Sequence, residues 1–239
     1  MKRHLQFCLL VTFLVGNIYA QNLKIGFEGG RGSYTMKEMK DVNNLMISEI
    51  PFDSKIVTDF PSNYYIQPSI SLDYQKFSLG IIYAYNSTGS RISSIDYSGE
   101  YRYDLQLSSN SPALQIEYYI YKKKFEMSFY TNLGLVYTKL TMHELLTVYD
   151  TNLDNSKNEF LSINSNLEPG FHFSRNIGVC NIGINVGYSI NYYKQGFYLK
   201  DNKKIPLMNG NDQVKPDWSG LRYGIFLKYN LNTIFHSSE

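Results

Sequence analysis

The side chains best suited to acid–base or nucleophilic chemistry are few and far apart in this chain. Beyond the first twenty residues there are three histidines, His143, His172 and His236. His143 with Ser162 is the pair that comes nearest to a general base beside a hydroxyl nucleophile, and it lacks a third, orienting group. No His/Cys cluster has the spacing of metal ligands. We therefore expect no catalytic residue, no metal site and no cofactor.

Charged residues form a second set of candidates. Paired carboxylates can carry acid–base chemistry. Charges enclosed on one face must also pair with each other, which favours a salt-bridged interior. We expect Arg222 to pair with Glu28 or Glu168. The predicted interior charges are Lys24, Glu28, Asp73, Glu117, Glu126, Glu168, Arg222 and Lys228.

The first twenty residues have the layout of a secretory signal peptide. Lys2 and Arg3 precede an apolar run over residues 7–15, and Ala20 offers a cleavage point before Gln21. The run is too short to span a bilayer, so a cleaved signal is favoured over an uncleaved anchor. We expect export through the Sec pathway and a mature chain that begins at residue 21.

Composition narrows the class of protein. Lys2 and Arg3 leave with the signal, so the 23 basic residues of the full chain fall to 21, equal to the 21 acidic ones. A neutral mature chain argues against a nucleic-acid binder. Cys180 is its only cysteine, so no internal disulfide is available, and the 22 Tyr and 14 Phe of the full sequence favour strands. No other segment approaches 18 uninterrupted apolar residues, which excludes helical membrane spans.

Eight segments alternate between apolar and more polar residues with the period of a β-strand. The connections near residues 75, 123 and 175 are tight, and those near 45, 93, 153 and 205 are long. A phase slip near residues 110–112 suggests a β-bulge in the fourth segment. The segments span residues 23–28, 64–73, 77–86, 101–121, 125–137, 166–173, 180–191 and 219–231.

The alternation fits an all-β, eight-stranded, antiparallel, up-and-down transmembrane barrel with short periplasmic turns and four long extracellular loops. The more polar face of the strands carries Gly, Ser and Asn with a few charges, which suits a filled interior. On the other face, aromatic residues are concentrated near both strand ends, as expected at the two bilayer interfaces. A soluble lipocalin-like barrel is the alternative. We expect the barrel over residues 21–231 and a short tail over 232–239.

On these segments the chain resembles eight-stranded outer-membrane barrels of the OmpA/OmpX type, in particular the Bacteroidota-like outer-membrane β-barrel proteins. The signal, the eight segments and the aromatic last strand carry the resemblance. The chain departs from the family pattern in one respect: eight residues, 232–239, follow the last strand, where the family has an aromatic final residue. The resemblance implies a monomer in the bacterial outer membrane, in contact with its lipid and lipopolysaccharide. It also implies insertion by the barrel-insertion machinery. Some such barrels are enzymes that modify lipid A. A lipid A deacylase or acyltransferase that uses His143 and Ser162 is therefore the alternative function.

The long connections are the candidates for ligand contact. The one near residue 93 mixes Tyr, Ser, Gly and Arg, a composition that binds glycans or proteins, or is simply a solvated hairpin. Its candidate contacts are Arg91, Asp96, Tyr97 and Tyr101. In the first connection, methionines near helical spacing predict a short helix that caps the barrel mouth or touches a partner. We expect a structural or surface-interaction role, adhesion or ligand contact, with a plugged interior too narrow for a general porin.

Overall fold

Strand pairing closes the chain into a ring of eight antiparallel strands. The computed structural model describes residues 22–97, 99–149 and 151–231; the predicted signal peptide (1–20) and tail (232–239) lie outside the described residues. The elements in chain order are β1 (Asn22–Gly32), α1 (Lys37–Glu49), β2 (Lys55–Asp59), β3 (Asn63–Tyr74), β4 (Phe77–Asp96), β5 (Gly99–Lys122), β6 (Phe125–Val148), β7 (Thr151–Ile177), β8 (Cys180–Lys194), β9 (Tyr198–Leu199), β10 (Met208–Asn209), β11 (Asp212–Gln213) and β12 (Gly220–Asn230).

The ring consists of β1, β3, β4, β5, β6, β7, β8 and β12. Each pairs with the next, and β12 returns to β1 with Ile25 opposite Tyr229. The predicted eight-stranded all-β barrel is confirmed. At one end, two-residue turns join Tyr74 to Phe77, Lys122 to Phe125 and Ile177 to Cys180. Gly178 takes a positive φ of 60° in the last of these turns, which suits glycine.

An apolar band encircles the outside of the ring next to these turns. On β4 the outward residues from Phe77 to Tyr85 are all exposed, Phe77 by 53% and Ile81 by 65%. Nine residues of tilted strand are what a bilayer requires. An exposed apolar belt of this kind on a closed barrel is lipid-facing, and outer-membrane barrels have their short turns on the periplasmic side. Within the described residues, no helix is both long and apolar enough to cross a membrane.

Four strands continue well beyond this band, where the sequence predicted loops. β4 and β5 stay paired up to Asp96 and Gly99, and β6 and β7 up to Val148 and Thr151. β5 and β6 also stay paired to the top, with Gly99 opposite Val148. We call the parts of β4–β7 beyond Tyr85, Asn110, Tyr137 and Ile163 the extracellular sheet. Two of the four long connections are therefore strand hairpins with short tips.

The predicted bulge at residues 110–112 is wrong. The β4–β5 register runs unbroken through Tyr85 opposite Asn110 and Tyr83 opposite Pro112. What changes at this height is the chemistry of the two faces. Below it the inward side chains of β5 are mostly polar, as at Ser111 and Gln115, and from Leu107 upward they are apolar. The outer face contacts lipid below this height and water above it. The apolar side chains therefore change from the outer to the inner face, while the alternation of the strand continues unbroken.

The inner face of the extracellular sheet is covered by a hydrophobic core, which we call the second core to distinguish it from the polar barrel interior. Met39 and Val42 of α1 pack there with Leu105 of β5 and Leu140 of β6, together with Trp218 from the segment before β12. The predicted helix therefore exists, and it packs against the inner face of the extracellular sheet. β2 and β9 widen the sheet sideways, since β2 pairs with β4 and β9 with β7.

Candidate functional site

The barrel interior holds all eight charges that the sequence predicted there. Each lies on an inward strand position, and none is more than 8% exposed. Burial at this level requires partners for each charge. Lys24, Glu28, Asp73, Glu117, Glu126, Glu168, Arg222 and Lys228 are distributed over six strands.

The periplasmic end of the interior is organised around Asp73. Its Oδ2 lies 2.9 Å from the ammonium nitrogens of both Lys24 and Lys122. The Tyr119 hydroxyl donates a hydrogen bond to Oδ1 over 3.1 Å. Lys122 was not among the predicted interior charges. It is the last residue of β5, and its four-carbon stem lets its ammonium group reach into the end of the barrel.

The middle of the interior is organised around Glu117. Lys228 Nζ lies 2.7 Å from Oε2, and His172 Nδ1 lies 2.9 Å from Oε1. Ser128 donates a further hydrogen bond to Oε1. The His172 ring stacks on Tyr130 with 4.3 Å between ring centroids. His172 is 2% exposed, and the structure makes it part of this carboxylate cluster.

Arg222 pairs with one of its two predicted partners. Its Nη1 lies 2.9 Å from Oε2 of Glu168. Glu28 instead accepts hydrogen bonds from the Tyr65 hydroxyl at 2.7 Å and from the Asn185 amide at 2.8 Å. Sequence reasoning missed Tyr65 and Asn185, although both stand on the inward parity that identified the charges.

Glu126 is held by amides. Nδ2 of Asn176 and of Asn181 donate to its two carboxylate oxygens at 2.8 and 2.9 Å. Among the described residues no cation within salt-bridge distance of Glu126 is found. Two amide donors satisfy one carboxylate near the periplasmic rim, where water lowers the cost of its charge.

The fold separates His143 from Ser162, the pair on which the enzyme alternative depends. His143 points outward on β6, where its Nε2 lies 2.8 Å from Oδ1 of Asn155. Ser162 points inward on β7, is buried, and donates to the carbonyl of Gln195. Ser162 also pairs with Thr138, five positions along β6 from His143. The two side chains lie on opposite faces of the sheet and cannot act as a base and its nucleophile.

The four predicted contact residues near residue 93 do not form one patch. Arg91 Nε lies 2.6 Å from Asp104 Oδ1 on the outer face of the sheet. Asp96 accepts a hydrogen bond from the Gly99 amide in the hairpin tip. Tyr101 packs edge-on against Phe52, beside the second core. Tyr97 alone of the four projects freely, with 95% of its surface exposed.

A lysine cluster on the outer face of the extracellular sheet was not predicted. Glu159 Oε1 lies 2.6 Å from Lys139 Nζ and 3.8 Å from Lys157 Nζ, and Oε2 lies 2.7 Å from Lys200 Nζ. Hydrogen bonds from Lys139 and Lys200 lower the pKa of Glu159 to about 2. Lys200 belongs to the last long connection, so no spacing rule within one hairpin could have placed it here.

Several solved structures are similar to this chain. Ail, the attachment invasion locus protein of Yersinia pestis, in complex with the heparin analogue sucrose octasulfate, matches at a TM-score of 0.45 and 11% identity. That match covers 87% of this chain and 97% of Ail. A second Ail structure gives a TM-score of 0.40 at 12% identity with the same coverage. Neisserial surface protein A gives 0.35 at 9% identity, over 88% of this chain and 97% of that one.

No protein-family model matches the sequence, and no curated protein matches it. The eight-stranded antiparallel barrel that the resemblance implies is what the strand pairing of this chain shows. The more specific resemblance to Bacteroidota-like outer-membrane β-barrel proteins stays a prediction. None of the similarities bears on a ligand of this chain.

Proposed function

We propose that this chain is a closed outer-membrane barrel that presents its extracellular sheet to an extracellular protein or glycan. The observation that carries the proposal is the length of β4–β7 beyond the lipid-facing band. From Tyr85 to Asp96, β4 alone adds eleven residues, or roughly 35 Å along the strand at about 3.3 Å per residue. A barrel that served only to fill the membrane would not need a separate cored sheet above it.

Two features support a contact role over solute transport. The interior charges are paired at hydrogen-bond distance, as in Arg222 with Glu168 and Lys228 with Glu117. We place α1 across the barrel mouth, because its Met39 is completely buried among side chains of the extracellular sheet. Eight strands enclose a space that side chains can fill. We therefore expect no steady conductance from this protein in planar bilayers.

The hairpin tips are the proposed points of contact. Ile95 and Tyr97 at the β4–β5 tip are exposed, and so are Tyr149 and Leu153 at the β6–β7 tip. Apolar and aromatic side chains at the farthest point from the membrane supply contact area at low entropic cost. Of the residues singled out from the sequence, Tyr97 keeps this role, while Arg91, Asp96 and Tyr101 hold the hairpin together.

Binding by the protein in nanodiscs tests this role. The probes are an array of neutral and sulfated glycans and a panel of purified extracellular-matrix proteins. Ile95→Ser/Tyr97→Ser and Tyr149→Ser/Leu153→Ser should each reduce binding to any probe that the wild type captures. Ile205→Ser/Met208→Ser removes exposed apolar side chains from the last connection and should leave binding unchanged. Equal binding by all variants, or no capture by the wild type, would contradict the role.

The enzyme alternative has its own measurement. We expect His143→Ala to leave the lipid A mass spectrum of the producing cells unchanged, because Ser162, its predicted nucleophile, points to the opposite face of the sheet. A changed acyl pattern of lipid A would instead support the lipid A-modifying enzyme.

Export and assembly complete the proposal. Cleavage after Ala20 would yield a mature chain from Gln21, which intact-mass measurement of the purified barrel would show. Sec export, insertion by the barrel-insertion machinery and a monomeric state in lipid are expected from the signal layout, the aromatic last strand and the closed ring. Recovery of the protein in the soluble fraction without detergent would overturn the membrane assignment.

A further inference from the structure

A polar groove crosses the outer face of the extracellular sheet directly above the lipid-facing band. It has a volume of about 430 Å³ and runs over β4, β5 and β6. Its lining supplies hydroxyl, amide and ammonium groups, and none of its side chains is a carboxylate. The side chains used below are Tyr85, Ser87, Gln106, Ser108, Lys139 and Thr141.

The height of the groove matches the headgroups of the outer leaflet. Tyr85, Asn110 and Tyr137 stand in one register row at the upper edge of the band. Aromatic side chains at that edge mark the bilayer interface. Lys139 lies two residues further along β6, or about 7 Å at roughly 3.4 Å per residue. A lipid whose acyl chains run along the band would therefore place its headgroup in the groove.

The charge at the groove is positive. Lys139 forms one wall of the groove and also belongs to the lysine cluster. In that cluster the ammonium groups of Lys139, Lys157 and Lys200 share the single carboxylate of Glu159. Two positive charges are left in excess. Each ammonium has three donors, so Lys139 can bind an anion while it keeps its bond to Glu159.

We propose that this groove and the lysine cluster bind the phosphorylated sugar headgroup of an outer-leaflet glycolipid. The Ser87, Ser108 and Thr141 hydroxyls and the Gln106 amide match the hydroxyls and amides of a sugar. Lys139 and Lys200 match its phosphate, because ammonium–phosphate hydrogen bonds are among the stronger polar contacts. Basic pockets at a membrane surface hold anionic headgroups in this way. The inference goes beyond the proposed function, since the ligand belongs to the protein's own membrane and the site lies far below the hairpin tips.

Native mass spectrometry of the purified barrel in detergent, titrated with lipid A, tests the proposal. Lys139→Gln/Lys200→Gln should weaken lipid A binding at least about tenfold, since each surface lysine adds about 1 kcal/mol of attraction. The matched control is Lys123→Gln/Lys124→Gln, which removes two exposed lysines at the periplasmic turn and should bind as the wild type does. Every variant is first checked for heat-modifiable gel migration, which reports a folded barrel.

Glu159→Gln separates a binding role from a structural one. Removing the carboxylate leaves three lysines with no counter-charge, so this variant should bind lipid A more tightly than the wild type. If the cluster served only to hold β7 and the last connection together, Glu159→Gln would weaken binding along with the lysine variant, and the proposal would fail.

Two further probes fix the source of the headgroup. Dephosphorylated lipid A should bind more weakly than lipid A, because the lysines then lack their ligand. Glucosamine 6-phosphate, which has no acyl chains, should bind more weakly still. Equal binding of lipid A and its dephosphorylated form overturns the proposal, and so does wild-type affinity in Lys139→Gln/Lys200→Gln. Binding of glucosamine 6-phosphate as tight as that of lipid A would replace the membrane lipid with a soluble anion.

Discussion

Arg222 and Glu168 meet inside the barrel across an intervening strand. Arg222 Nη1 lies 2.9 Å from Glu168 Oε2 although β8 separates β12 from β7. Arg222 stands opposite Gly187 of β8, and Gly187 stands opposite Gly170 of β7. The space over these two glycines is filled by the Tyr130 hydroxyl, which donates a hydrogen bond to Glu168. The ion pair thus ties together strands that share no backbone hydrogen bond.

Breaking this pair from one side should be costly. Glu168→Gln or Arg222→Met leaves a buried charge without its counter-ion, which costs about 3–5 kcal/mol. The double variant Glu168→Gln/Arg222→Met should be less destabilised than the sum of the two single variants, because it leaves neither charge behind. Urea unfolding in detergent, followed by gel migration, measures the free energies. Additive losses would show that the two residues do not interact.

Gly187 should tolerate no side chain. A Cβ at this position would overlap the Tyr130 hydroxyl, which lies over Gly187 and Gly170. Gly187→Ala should lower the free energy of unfolding by about 1–3 kcal/mol, as overpacking does. Removing the hydroxyl in Tyr130→Phe/Gly187→Ala should recover part of that loss, with Tyr130→Phe alone as the control. A harmless Gly187→Ala would mean that the Tyr130 ring has another position available.

The second core should unfold apart from the barrel. Met39→Ala removes a fully buried side chain between α1 and the extracellular sheet, at a cost of about 2–5 kcal/mol. We expect faster protease cleavage in the β4–β5 and β6–β7 hairpins with unchanged heat-modifiable migration. Leu45→Ala, on the exposed side of α1, should leave cleavage at the wild-type rate. Loss of migration in Met39→Ala would show that the two parts fold as one unit.

Glu159 should stay ionised into strong acid. Its pKa is lowered from 4.5 to about 2 by the hydrogen bonds from Lys139 and Lys200. Its ion pairs therefore contribute fully above pH 4.5 and are lost as the pH falls towards 2. A carboxyl-carbon NMR titration measures the pKa directly. In Lys139→Gln/Lys200→Gln it should move up towards 4.5, and an unmoved pKa would place the cause elsewhere.

The inward position of the eight charges followed from the sequence because a strand has a period of two. Once the apolar parity of β12 is assigned to lipid, Arg222 and Lys228 must point inward, whatever the rest of the chain does. Their partners did not follow. Arg222 had Glu28 and Glu168 as equal candidates, and the choice depends on register across β8, which no single segment contains.

The lysine cluster and the second core, on the extracellular side, also depend on contacts between distant segments and could not be predicted from any single segment. Lys139, Glu159 and Lys200 come from three separate elements, and their meeting depends on β9 docking beside β7. The apparent slip at residues 110–112 was visible in the sequence, but its cause lay in α1 and the segment that carries Trp218. Those segments arrive from far along the chain to cover the inner face.

The strand number, the alternating faces and the inward charges can be predicted from the amino-acid sequence, because each depends on the local two-residue period and on short turns. Three-dimensional packing is needed to show that Arg222 binds Glu168, that β4–β7 continue above the membrane, and that the apolar face changes sides near Asn110. Each of those outcomes depends on what lies opposite a side chain, whether lipid, water or a distant segment, and alternation in one strand carries no information about its surroundings.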